Sequence, residues 1–102
     1  MKELLFVYGS LKRSEKNHPL LKGSRFLGEQ STVSEYKIVQ VGEFPAMVEV
    51  KINGDSISGE VYQVNDTLLA ELDIFEEVPS VYHRKLVRLQ DGITAWAYFK
   101  AD

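Results

Sequence analysis

The 102-residue chain contains no cysteine. That single absence excludes a disulfide framework, a thiolate metal site and a cysteine nucleophile. Histidine is scarce: His18 and His83 stand far apart, a poor basis for a metal centre. Positive charge is modest, with twelve Lys and Arg against fifteen Asp and Glu, so the net charge of -3 lacks the basic footprint that a phosphate backbone demands. The apolar run near the N-terminus, Leu4 to Tyr8, is too short for a signal-peptide core or a membrane span. Low-complexity tracts, internal repeats and Pro/Gly/Ser-rich linkers are lacking too. These absences lead to the expectation of one cytoplasmic domain over residues 1–102, with no nucleic acid, membrane or metal among its partners.

What is present is 44% hydrophobic residues, enough for one compact core. "LLFVY" (4–8) reads as a buried strand ended by Gly9, and "GSLKRSEKNH" (9–18) as a polar loop. "HPLL" (18–21) suits a short helical turn with Pro19 at its first position and Gly23 stopping it. Between 24 and 64 run the β-rich stretches "RFLGEQSTV", "YKIVQV", "AMVEVKI" and "ISGEVYQV". "NGD" (53–55) among them reads as a hairpin turn. "NDTLLAELDIFEE" (65–77) changes period: Leu68, Leu69, Leu72 and Phe75 fall at helical spacing behind a cap at Asn65 or Asp66. "VYHRKLVRLQ" and "ITAWAYFK" then read as strands joined at "DG" (91–92). In the last, Ile93, Ala95, Ala97 and Phe99 share one face and Trp96 and Tyr98 the other, so neither face looks fully wet. The expected architecture is α+β: a small, mostly antiparallel β-barrel with one main helix at about 66–76 and a helical turn near 18–21.

Two adjacent acids, Glu76 and Glu77, end the helix. At about 100° per residue from Leu68, Leu72 lies near 40°, Leu69 near 100° and Glu76 near 80°, while Glu77 turns to the polar side. A carboxyl group among leucines loses hydration of its charged form, which raises its proton affinity toward the range useful in acid/base catalysis. The bland alternative is a Glu76 that reaches solvent at a fraying helix end or pairs with Arg84. At the other end of the chain, Tyr8, Gly9, Ser10 and Leu11 form a turn after a strand. Successive backbone N–H groups there can converge on a carboxylate or an oxyanion. Tyr-Gly-Ser alone is more often an ordinary turn, it lacks the pattern of a nucleotide loop, and no histidine is placed to activate Ser10.

Four segments, "VYGSLKR", "GEFPAMV", "SGEVYQV" and "LDIFEEVPSVYHR", taken in order, resemble the gamma-glutamylcyclotransferase-like family. The loop followed by "NHPLL" is most similar to its gamma-glutamylamine cyclotransferase branch. The resemblance implies a small β-barrel that binds a gamma-glutamyl group beside the Tyr8, Gly9, Ser10 and Leu11 loop. It implies Glu76, of the Leu-Asp-x-x-Glu motif, as the acid/base, with Tyr82 and Arg84 supporting the site. It also implies an enzyme that needs no cofactor and turns a small gamma-glutamyl amide into 5-oxoproline and a free amine or amino acid. The family often carries glycine after this glutamate; here the residue is Glu77. Two other classes of reading remain: a module that binds a small gamma-glutamyl or carboxylate ligand without turning it over, and an interaction domain with no small-molecule site.

Overall fold

The computed structural model describes residues 2–101. Seven strands and one α-helix follow in the order β1 (Lys2–Val7), β2 (Arg25–Ser31), β3 (Tyr36–Val41), β4 (Phe44–Glu49), β5 (Ser58–Asn65), α1 (Asp66–Phe75), β6 (Tyr82–Arg88) and β7 (Thr94–Lys100). A single 3-10 turn, His18–Leu21, buries Leu21 and lies where Pro19 and Gly23 bracket the sequence. The class is α+β, as the periodicities predict.

The strands form one mixed sheet in the order β2-β5-β1-β7-β4-β3, with β6 also on β7. β6 occupies one edge of β7 along its whole length, from Tyr82↔Lys100 to Arg88↔Thr94. The other edge is shared: β1 meets β7 in parallel at Leu5↔Trp96, and β4 meets it in parallel at Met47↔Phe99. The sheet therefore divides beside the C-terminal half of β7, and that division positions the site.

The expected barrel is not closed. After Ser31 and Arg88 the ends of β2 and β6 touch only at the isolated bridge Thr32↔Leu89. Thr32, fully buried, takes the N–H of Ile57 on its side-chain oxygen, so the chain leaves the ladder at that point. The "NGD" hairpin is also corrected, since β4 pairs with β3 and β7 whereas β5 pairs with β1 and β2. Gly54 instead packs on the backbone of Ser34 and Glu35, where a Cβ would lie 2.5 Å from the Ser34 carbonyl oxygen. The "DG" turn does close the β6–β7 hairpin, with Asp91 Oδ1 accepting from the Ile93 N–H.

Both faces of the sheet are covered. Phe6, Met47, Val87, Ala97 and Phe99 form one apolar cluster. Leu5, Val7, Leu69, Leu72 and Tyr98 form the other, under α1. A strand buried on both sides has no need to alternate, hence the unbroken "LLFV" of β1. In β7, Ala95, Ala97 and Phe99 enter one cluster and Tyr98 the other, while Ile93 is exposed.

Candidate active site

Glu76 owes its position to how α1 ends. Asn65 caps the first turn by accepting from the Leu68 N–H at 2.8 Å, and the helix runs to Phe75 with Glu76 as its C-cap. The next two N–H groups turn back: Glu77 donates to the Ile74 carbonyl at 3.1 Å and Val78 to the Asp73 carbonyl at 3.0 Å. This is a Schellman turn, and it needs a left-handed residue just past the cap. Glu77 fills that position with φ 54, a conformation that glycine adopts without strain. The departure from the resembling family's glycine thus falls on the one residue of the turn where glycine fits best.

A cavity of about 280 Å³ opens beside the division of the sheet. Glu76, Tyr8, Gly9, Ser10, Leu11 and Tyr82 line it, so six of the seven residues singled out in the sequence come together. Glu76 does not pair with Arg84, which is taken by Asp73; its carboxylate is part-buried and has no hydrogen-bond or ion-pair partner among the described residues. Burial pushes its pKa up from 4.5 to about 7. Near neutrality the group is divided between a form that accepts a proton and one that donates it.

The loop is braced from below. Asn17 Nδ2 donates to Ser10 Oγ at 2.8 Å, the Asn17 N–H donates to the Ser10 carbonyl at 2.9 Å, and His18 Nδ1 meets the Leu11 carbonyl at 3.0 Å. Further along, Glu60 accepts from the Arg13 backbone N–H at 2.8 Å, from Arg13 Nε at 3.3 Å and from the Tyr62 hydroxyl at 3.0 Å. Burial alone would raise the Glu60 pKa, but these donors together hold it below the usual carboxylate range. The backbone N–H groups of Gly9, Ser10 and Leu11 have no acceptor among the described residues. They are the donors available to an anion in the cavity.

Tyr8 lines the cavity and also ties the strands around it. Its hydroxyl donates to the Tyr98 carbonyl at 2.5 Å and accepts from the Met47 N–H at 2.9 Å, bolting β4 and β7 together where β1 ends. Burial raises its pKa far out of the physiological range, so it stays a phenol. Tyr82 donates to the Pro45 carbonyl at 3.1 Å; burial, then the nearby Glu76, raises its pKa as well.

Arg84 is the seventh residue, and it does not line the cavity. Its guanidinium grips Asp73 through Nε at 2.8 Å and Nη2 at 3.1 Å and lies over the Trp96 ring at 4.5 Å. Asp73 Oδ1 also accepts from the Tyr98 hydroxyl at 2.8 Å. The sequence reading passed over Asp73, Tyr98 and Asn17. Asp73 stands one helical turn before Glu76, a spacing that could have drawn notice, whereas nothing in the sequence brings Tyr98 or Asn17 to the cavity. Among the described residues no group of three or more His, Asp or Glu is arranged to hold a metal ion, and no helix is long and apolar enough to cross a membrane.

An unpaired, part-buried glutamate and a turn of free N–H groups in one cavity can bind a small anionic molecule and exchange a proton with it. The chain belongs to the gamma-glutamyl cyclotransferase, AIG2-like family, which it matches over residues 5–102. It is 36% identical over 94 residues to the human protein gamma-glutamylaminecyclotransferase, covering 85% of this chain and 61% of that one. A gamma-glutamylcyclotransferase-type protein of Vibrio cholerae is 43% identical over 98 residues, 96% of this chain and 82% of that one. In structure the chain superposes on a crystallised AIG2-like protein of mouse with a TM-score of 0.86 at 30% identity, covering 98% of this chain and 78% of the mouse chain.

Proposed function

We propose that this protein acts on gamma-glutamyl amides, closing the glutamyl group to 5-oxoproline and releasing an amine or amino acid, with Glu76 as the general acid/base. The observation that carries the reading is the unpaired Glu76 carboxylate, raised by burial to about 7, in one cavity with the free N–H groups of Gly9, Ser10 and Leu11. The human relative's name, gamma-glutamylaminecyclotransferase, supports the same substrate class.

The substrate supplies both nucleophile and electrophile. Its alpha-amine attacks its own gamma-carbonyl carbon, a new C–N bond closes a five-membered ring, and the original amide C–N bond breaks. The enzyme holds the folded-back conformer, and such positioning contributes up to about 10 kcal/mol. Glu76 as carboxylate takes one proton from the alpha-ammonium, which frees the amine to attack, and once protonated gives it to the departing nitrogen. The second proton, shed by the ring nitrogen after attack, ends on the released amine, so the two protons lost by one nitrogen are the two gained by the other. The loop N–H groups bind the substrate carboxylate or the tetrahedral oxyanion, and the Tyr8 and Tyr82 rings wall the cavity. No cofactor enters the scheme.

The test is release of 5-oxoproline from a panel of gamma-glutamyl amines and gamma-glutamyl amino acids, read by mass spectrometry, with Glu76→Gln beside the wild type. Release by the wild type alone supports the assignment. Ligand-dependent thermal protection without release would instead favour a binding module.

A further inference from the structure

Arg84 falls in the segment from which the resemblance draws a substrate-binding residue, yet its guanidinium is held by Asp73 through Nε and Nη2 and lies over the Trp96 ring. The Asp73 carboxylate accepts three hydrogen bonds, from Arg84 Nε at 2.8 Å, from Arg84 Nη2 at 3.1 Å and from the Tyr98 hydroxyl at 2.8 Å. Those donors come from β6 and β7, whereas Asp73 belongs to the last turn of α1. Its main-chain carbonyl meanwhile accepts from Val78 in the Schellman turn that directs Glu76. One residue therefore fastens the end of the helix to two strands and, through Tyr98, to a wall of the cavity.

We propose that Asp73 is a positioning residue: its grip on Arg84 and Tyr98 holds Glu76 over the cavity and neutralises the guanidinium brought to that end of the helix. The proposal rests on Glu76 being the acid/base. The geometry separates two jobs. The bidentate clamp fixes where the helix ends, and the same contact neutralises Arg84, so that Glu76 faces no unbalanced positive charge. The ionisable groups that face Glu76 are the phenols of Tyr8 just after β1, Tyr82 on β6 and Tyr98 on β7, with Glu77 next in the chain. The phenols are neutral near pH 7, which leaves Glu77 and the Asp73–Arg84 pair, one helical turn away, as the charges at this end of the helix, and both proposed substitutions change only the pair.

Breaking the pair from either side loses the same ion pair but leaves opposite charges behind. Asp73→Asn strands the guanidinium, which favours the Glu76 carboxylate; Arg84→Ala strands the aspartate, which disfavours it. The Glu76 side chain is to be titrated by carbon NMR in the wild type and both variants, a readout that does not depend on turnover. The expected result is a midpoint lower by about half a unit or more in Asp73→Asn and higher by a similar amount in Arg84→Ala. Alongside, kcat should fall about tenfold or more in both, with KM moving less, as for loss of an interaction that aligns the reacting groups. Midpoints that stay put, or that move in the same direction in both variants, overturn the proposal, and if one variant does not fold, the sign of the shift in the other decides. A wild type that releases no 5-oxoproline overturns the acid/base reading instead, whatever the titrations show.

Discussion

The hydroxyl of Tyr8 donates a 2.5 Å hydrogen bond to the carbonyl of Tyr98, ninety residues away in sequence. Because the same hydroxyl also accepts from the Met47 N–H, one side chain replaces the ladder bonds that β1, β4 and β7 cannot make where they part. Tyr8→Phe leaves a carbonyl and an N–H without their partner in a part-buried place. Stability should fall by about 1–3 kcal/mol, measured as a lower urea midpoint at unchanged slope.

Wild-type kcat/KM should rise with pH through about 7, the Glu76 value, and not near 4 as for an exposed carboxylate. A pH–rate profile on any turned-over gamma-glutamyl amide checks this, and an acid limb below pH 5 would sink it.

Glu76→Gln should remove turnover and stabilise the fold in alkaline solution. The folded pKa of Glu76 lies above its unfolded value of 4.5, so the native state binds the proton more tightly. The stability associated with that proton is fully present below about 4.5 and is lost as pH rises through about 7. Glutamine carries no such penalty. After allowing for partial exposure, the variant should gain on the order of 2 kcal/mol over the wild type at pH 8, and little at pH 4.5, by denaturant titration at both values.

Glu77→Gly should stabilise by about 0.5–1 kcal/mol, since glycine takes φ 54 without the strain of a side chain, a gain partly offset by its freer unfolded state. A β-branched residue at 77 should destabilise. Thermal melts of the two variants read the sign directly.

Gly59→Ala should cost about 3 kcal/mol or more. A Cβ there would lie 2.3 Å from the Val7 carbonyl oxygen and 2.6 Å from the Phe6 ring, directly beneath the strand that carries the active-site loop. Near-native stability of this variant would mean that β1 can shift at little cost.

Much of this was legible in the sequence because local rules and tertiary demands agree. The helix over Asp66–Phe75 follows from its leucine period and Asn65 cap, and the orientation of Glu76 from the same wheel. "NGD" misled because a turn signal says that the chain bends, not which strands it joins; β5 found its partners in β1 and β2. The barrel stayed open because β2 and β6 meet only at the Thr32↔Leu89 bridge, which no periodicity carries. Arg84 was assigned to substrate because the motif gives its neighbourhood, while its partner Asp73 comes from a different element and is visible only once α1 has docked.

That shared edge also bears on how the molecule is made. Tyr8 lies ninety residues before the carbonyl that holds it, which belongs to β7. Until β7 arrives, β1 has no parallel neighbour, Asp73 has no Tyr98 to grip, and the cavity has no far wall. Contacts of such long sequence separation form slowly, so the pocket is a late product of folding. A chain lacking β7 would carry every residue of the Tyr8 loop and the Glu76 motif and still have no enclosed cavity for them to line.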